Sequence, residues 1–156
     1  METIPIAQLA PTIPTPDAKA VAAIVTLIWP YSSSTKTCAV LLAEYDFRLR
    51  RRKGQVRVQF TGPSATAVAE SGIGIGDEVT LGLAGAKWLA DAGDIKTPGR
   101  SVDWELLYDY KLVLEVRIGP FGAEKHFAEY VRLIGHSRRA AACTAKYRRG
   151  GTDSSV

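Results

Sequence analysis

In Tyr45-Asp46-Phe47-Arg48-Leu49-Arg50-Arg51-Arg52-Lys53-Gly54-Gln55-Val56-Arg57-Val58-Gln59-Phe60 a strand period on both sides of a glycine meets a run of positive charge. Tyr45, Phe47 and Leu49 alternate before the glycine, and Val56, Val58 and Phe60 alternate after it, the period of a strand whose successive side chains point to opposite faces. The spacing predicts a β-hairpin closed at Gly54. Its apolar residues would face a core while Arg48, Arg50, Gln55, Arg57 and Gln59 project together from the outer side. No acidic residue lies between Phe47 and Ala69, whereas Arg48, Arg50, Arg51, Arg52, Lys53 and Arg57 place six positive charges within ten positions. Such a face draws phosphates by Coulomb attraction and by counterion release. The plainer use of a charge run is a solvated strand edge that blocks aggregation.

Residues 1–18 contain Pro5, Pro11, Pro14 and Pro16, which remove backbone donors and fix φ, so the segment reads as an extended or flexible arm. The folded domain is expected over 19–118. Ala20 to Trp29 is a first strand stopped by Pro30, Tyr31 to Lys36 a connecting loop, and Thr37 to Leu49 a long second strand. Gln55 to Phe60 is the third strand. Pro63 to Ser71, with Pro near its start, alanines inside and Gly72 beyond, reads as one short helix. Val79, Leu81 and Leu83 mark a fourth strand. The cleanest alternation runs from Val102 through Trp104, Leu106, Tyr108, Tyr110, Leu112, Leu114 and Val116 to Ile118, long enough to call for a bend, a bulge or two strands. Beyond it, Phe127, Tyr130, Val131 and Ile134 recur at helical spacing, so 119–136 reads as an amphipathic helix, and 137–156 as a basic disordered tail.

The 156 residues suit either one domain with a sizeable core or, as expected here, a smaller domain with flexible ends, and the net charge of +4 makes the placement of charge more informative than its total. Cys38 and Cys143 lie far apart and indicate neither a disulfide framework nor a zinc site, which fits a reducing compartment. The longest apolar run, Val21 to Trp29, falls far short of the roughly 20 residues a membrane helix needs. The start of the chain lacks a signal peptide's basic and apolar blocks. A soluble intracellular protein with no membrane partner is the expectation.

Three strands, a short helix and two further strands give the order of an OB-fold. The expected class is therefore all-β with short helices: a five-stranded Greek-key barrel with its helix between strands 3 and 4. In that fold the outer face of strands 2 and 3, flanked by the loops joining strands 1 to 2 and 4 to 5, forms the ligand groove. Here those loops are Pro30 to Lys36 and about 85–101, and the basic face falls on strands 2 and 3.

Trp29-Pro30-Tyr31-Ser32, Leu41-Leu42-Ala43-Glu44, Phe47-Arg48-Leu49-Arg50, Gly54-Gln55-Val56-Arg57-Val58-Gln59-Phe60 and Gly74-Ile75-Gly76-Asp77-Glu78-Val79 together resemble the telomeric single-stranded-DNA-binding OB domains of the protection-of-telomeres family, fungal versions in particular. The resemblance covers about 19–118. It implies binding of a G-rich single-stranded overhang at chromosome telomeres in the nucleus, a role in telomere maintenance and end protection, and other telomere-complex proteins as partners.

A single strand is held by a positive groove and by aromatic faces on which bases stack, each stack contributing about 1–3 kcal/mol. Arg48, Arg50, Arg51, Arg52, Lys53 and Arg57 would supply charge, Gln55 and Gln59 base-edge hydrogen bonds, Tyr31 and Trp88 stacking, and Lys36 and Lys87 further phosphate contacts. Core packing is the commoner use of an aromatic; Trp104, Tyr108 and Tyr110 are assigned to it, and Trp29 stands between the two uses. Gly72-Ile73-Gly74-Ile75-Gly76 follows a helix and precedes a strand, the reverse of a dinucleotide loop, and reads as a turn. His126 and His136 lack a partnered acid or cysteine, and Asp103, Glu105 and Asp109 read as the wet side of a sheet. No catalysis, cofactor or metal is expected. Two other readings stay open: an OB-fold serving as a protein-interaction module of a telomere or replication complex, and an RNA-binding OB domain.

Overall fold

The structure, a computed structural model, describes residues 1–90 and 102–117 together with the backbone of 127–134 and 142–149. It is all-β with short helices. In chain order the strands are β1 (Glu2–Thr3), β2 (Lys19–Ser32), β3 (Thr37–Ala43), β4 (Gln55–Thr61), β5 (Glu78–Gly82), β6 (Lys87–Ala90), β7 (Trp104–Tyr108), β8 (Leu112–Arg117), β9 (Phe127–Ile134) and β10 (Ala142–Arg149). The helices are α1 (Phe47–Arg50) and α2 (Gly62–Glu70). All strands belong to one sheet of order β10-β9-β8-β5-β2-β3-β4-β7-β6, with β1 beside β2, and its hydrogen-bonded ladder does not close.

Alternation holds where one face is buried. Along β4, Val56, Val58 and Phe60 are buried and Gln55, Arg57 and Gln59 lie half-buried on the other side. Phe60 stacks on Tyr108 of β7 with centroids 5.8 Å apart, and the Tyr108 hydroxyl donates to the Gly82 carbonyl of β5 at 2.9 Å. The long alternation of 102–118 is realised as two strands, β7 and β8, and at the break between them Tyr110 is 63% exposed rather than in the core. Facing that break is Gly85, at φ +84°, where a Cβ would come within 2.7 Å of Lys111. α2 buries Ser64, Ala65, Ala67 and Val68, so small side chains let it seat closely.

Four expectations need correction. The second strand ends at Ala43 instead of running to Leu49: the Asp46 carboxylate accepts the Arg48 backbone N–H at 2.8 Å and starts the helical turn α1. Tyr45, Phe47 and Leu49 are thereby exposed rather than facing the core. Pro30 does not stop the first strand; β2 continues to Ser32 across a register shift between Trp29 and Ser32, where a missing donor is tolerated. Residues 1–18 are not a free arm. Ile4, Ile6 and Leu9 are buried in the core, the Ile4 N–H donates to the Ala20 carbonyl at 2.9 Å, and the Ile6 N–H donates to the Glu44 carboxylate at 2.6 Å. Proline fixes an extended path but does not prevent the apolar residues between from packing.

The fourth correction is at the C-terminal end. Phe127–Ile134, expected as a helix, is strand β9, antiparallel to β8, and much of the expected tail is β10, antiparallel to β9. Phe127, Tyr130, Val131 and Ile134 favour strands as aromatic and β-branched residues, and the edge of β8 offers a template. Ile118, His126 and His136 lie outside the described residues.

Candidate nucleic-acid interface

Strand register assembles the outer face. Trp29 on β2 pairs with Ala39 on β3, Ala39 with Gln59 on β4, Gln59 with Leu107 on β7, and Leu107 with Lys87 on β6. The neighbouring row runs Leu27, Leu41, Arg57, and on the far side Glu105 paired with Leu89. Directly paired residues share a face, so these two rows form one surface. Its centre is apolar, with Ala39 and Leu41 buried, and the Arg57 guanidinium lies 4.8 Å from the centroid of the Trp29 ring. That packing is a cation–π contact, and Gln59 stands two residues along β4 on the same face.

The face is not free of carboxylates. Arg57 Nη1 meets Glu105 at 3.1 Å, Lys53 lies 4.0 Å from Asp103, and Lys87 is hydrogen-bonded to Asp109. The cause is topological: β7 lies parallel to β4, so the outward acids of the 102–109 alternation fall beside the outward cations of β4 and β6. Burial works against the Asp109 carboxylate, yet the hydrogen bond and charge of Lys87 hold it below the ordinary carboxylate range. The three acids are thus spent on cations, and among the described residues no group of three His, Cys, Asp or Glu side chains gathers.

The basic run divides. Arg57, Gln55 and Gln59 lie on β4 as the alternation requires, but Arg48, Arg50, Arg51, Arg52 and Lys53 belong to the turn that joins β3 to β4. Gly54 permits this turn, because a Cβ there would stand 2.2 Å from the Leu49 carbonyl oxygen. Arg50 is fixed, its Nε donating to the Glu44 carbonyl at 2.6 Å and its guanidinium lying 4.1 Å over Phe47. Arg48, Arg51 and Arg52 have no carboxylate partner among the described residues and point their charge to solvent.

At the opposite end of β3, about 20 Å away along a strand of seven residues, Tyr31 is 38% exposed and Lys36 stands at φ +52° in the β2–β3 loop. Trp88, paired with Leu106, is half-buried and packs in part against the core. Trp29, Leu107 and Leu89 join this face without having been assigned to it from the sequence, and β6 lies within the expected 85–101 loop. The outward direction of Trp29 was not legible: by alternation it stands in phase with the core residues Val21, Ala23 and Val25, and only the register shift between Val25 and Leu27 turns it outward. Leu107 is the one apolar residue at an outward position of 103–109, where its neighbours Asp103, Glu105 and Asp109 are acidic.

A family model described as a domain of unknown function (DUF8502) matches residues 1–123, taking in the arm together with β1 to β8. No curated protein and no solved structure matches the chain.

Proposed function

We propose that this chain, which belongs to the DUF8502 family, is a non-catalytic OB-type module that binds single-stranded DNA, with the G-rich overhang of telomeres in the nucleus as its target. The fold part of this reading is supported by strand registers. β6 pairs with β7, and β5 with β8, in a nearly common register: Lys87 opposite Leu107 and Leu81 opposite Leu114 differ by a single-residue offset. The two ladders then belong to one long hairpin, kinked where Gly85 faces Lys111. Counted so, the circuit runs from β2 to β3, β4 and the β7–β8 strand, then through the β5–β6 strand back to β2, with β4 and β7 parallel. That is the strand order of a five-stranded Greek-key barrel, with α2 in its place between the third and fourth strands.

The observation that carries the binding part is the Trp29–Arg57 pair on the outer face of β2 to β4, flanked by Gln59 and Gln55. A base can stack on that unit and offer an edge to the glutamines, while Arg48, Arg51, Arg52 and Lys36 raise the local concentration of phosphate. Fluorescence anisotropy with a G-rich repeat, a scrambled strand, an RNA of the same sequence and a duplex tests the reading. Preference for the G-rich single strand is expected, with Trp29→Ala weakening it about tenfold, the loss of one stack. Equal binding of duplex and single strand, or no binding at low salt, would sink it.

A further inference from the structure

The β3–β4 turn carries a second feature that strand-face binding does not use. Phe47 is 74% exposed, Leu49 45% and Tyr45 43%, three large apolar side chains within five positions. Phe47 and Leu49 line an open pocket of about 830 Å³ with Arg48, Arg51, Arg52 and Gln55. Among the described residues no ion pair joins those arginines to a nearby acid: Asp46, which also lines the pocket, accepts the Arg48 backbone N–H, and Glu44 accepts the Ile6 N–H. The turn is also held in shape. Gly54 closes tightly against Leu49, the Glu44 N–H donates to the Gly54 carbonyl at 2.9 Å, and Arg50 props Phe47 from one side.

We infer that this turn docks an acidic amphipathic peptide segment of a partner protein, anchored by an aromatic or aliphatic side chain in the Phe47–Leu49 pocket and ringed by Asp or Glu against Arg48, Arg51 and Arg52. Charge complementarity sets the sign of the partner, and the apolar pocket sets its kind. A nucleic-acid strand would use the charge and at most the open face of Phe47, leaving the apolar pocket unfilled, since Leu49 offers no face for base stacking. An acidic peptide with a Phe or Leu gains from both. Exposed apolar side chains rimmed by polar ones are the mark of such surfaces, and a buried central anchor ringed by charge is the usual layout of binding energy there. The pocket adjoins the Trp29–Arg57 face at Gln55, two residues along β4 from Arg57, but Phe47 and Leu49 take no part in that face, so their substitution separates the two uses.

The test uses the full chain and three labelled probes: an acidic peptide containing Phe and Leu, the same peptide with Ser in their place, and a single-stranded G-rich oligonucleotide. The apolar-bearing peptide should bind about tenfold more tightly than its Ser counterpart, and Phe47→Ser should remove that advantage while changing oligonucleotide affinity by less than about twofold. Trp29→Ala should leave peptide binding in place. Because Phe47 is exposed, circular dichroism should show Phe47→Ser folded like the parent. Equal binding of the two peptides, or no binding of either at low salt, would overturn the inference. So would an equal loss of peptide and oligonucleotide on Phe47→Ser, which would assign the turn to the nucleic-acid surface instead.

Discussion

Arg57 serves three neighbours at once: its guanidinium packs on Trp29, bonds Glu105 and stands beside the glutamines of its own strand. Its outward direction was legible, because Val56 and Val58 bracket it with a strict period of two. Its partner was not, since Glu105 lies 48 positions away and meets it only through the parallel pairing of β4 with β7. Cys38 illustrates the same limit. The alternation marks no face for it in an apolar run, yet the fold buries it, with the thiol donating to the Ala65 carbonyl at 3.7 Å. Burial pushes the Cys38 thiol up from 9.0 to about 11, which favours the neutral form in the folded state. Below pH 9 both states hold the proton and Cys38 adds no pH dependence; between about pH 9 and 11 the unfolded chain releases it first, so stability falls as pH rises. Denaturant unfolding of the parent against Cys38→Ala over that window should therefore converge by roughly 2–3 kcal/mol as pH rises. A parallel pair of curves would show that the thiol is not buried as described.

Among elements, the loops and the two ends departed most from the sequence reading, and for separate reasons. At α1, a local cap defeated a pattern: Tyr45, Phe47 and Leu49 alternate as a strand does, but the Asp46 carboxylate and the bare Cα of Gly54 make a helical turn available at that point. At β9 a neighbour decided, because residues spaced for a helix found a strand edge to pair with. The break between β7 and β8 was anticipated from the length of the 102–118 alternation, but the close approach of Gly85 to Lys111 was not, because a glycine in a loop-like stretch gives no sign of what faces it. Gly85 combines a left-handed φ of +84° with backbone and side-chain atoms of Lys111 at 2.7 Å from any added Cβ. Gly85→Ala should thus cost about 2–4 kcal/mol, from strain and from a forced shift of the facing strand. Thermal unfolding measures it, with Gly74→Ala as the comparison, since its nearest contact to a new Cβ is an ordinary 3.6 Å.

For the whole molecule, the net charge of +4 conceals a redistribution made by folding. The acids of 102–109 are drawn over the β4–β6 cations, whereas Arg48, Arg51, Arg52 and Lys36 stay without a carboxylate partner among the described residues. Counting charges along the chain would assign up to six phosphate contacts to 48–57, but the folded arrangement leaves about three or four cations ready to release counterions. With about 0.7 per contact on single strands, log affinity for an oligonucleotide should fall against log salt with a slope of about −2 to −3. Glu105→Gln removes the carboxylate that competes for Arg57, so it should tighten binding at low salt and steepen the slope by about 0.7. Charge reversal at Arg51 and Arg52 together should flatten it by about 1.4 and weaken all sequences alike, because cations aimed at solvent carry no base preference. Anisotropy titrations across a salt series read all three slopes. If Glu105→Gln left the slope of the parent unchanged, Arg57 would not meet the phosphate chain, and the strand face would lose its part in the electrostatics of binding.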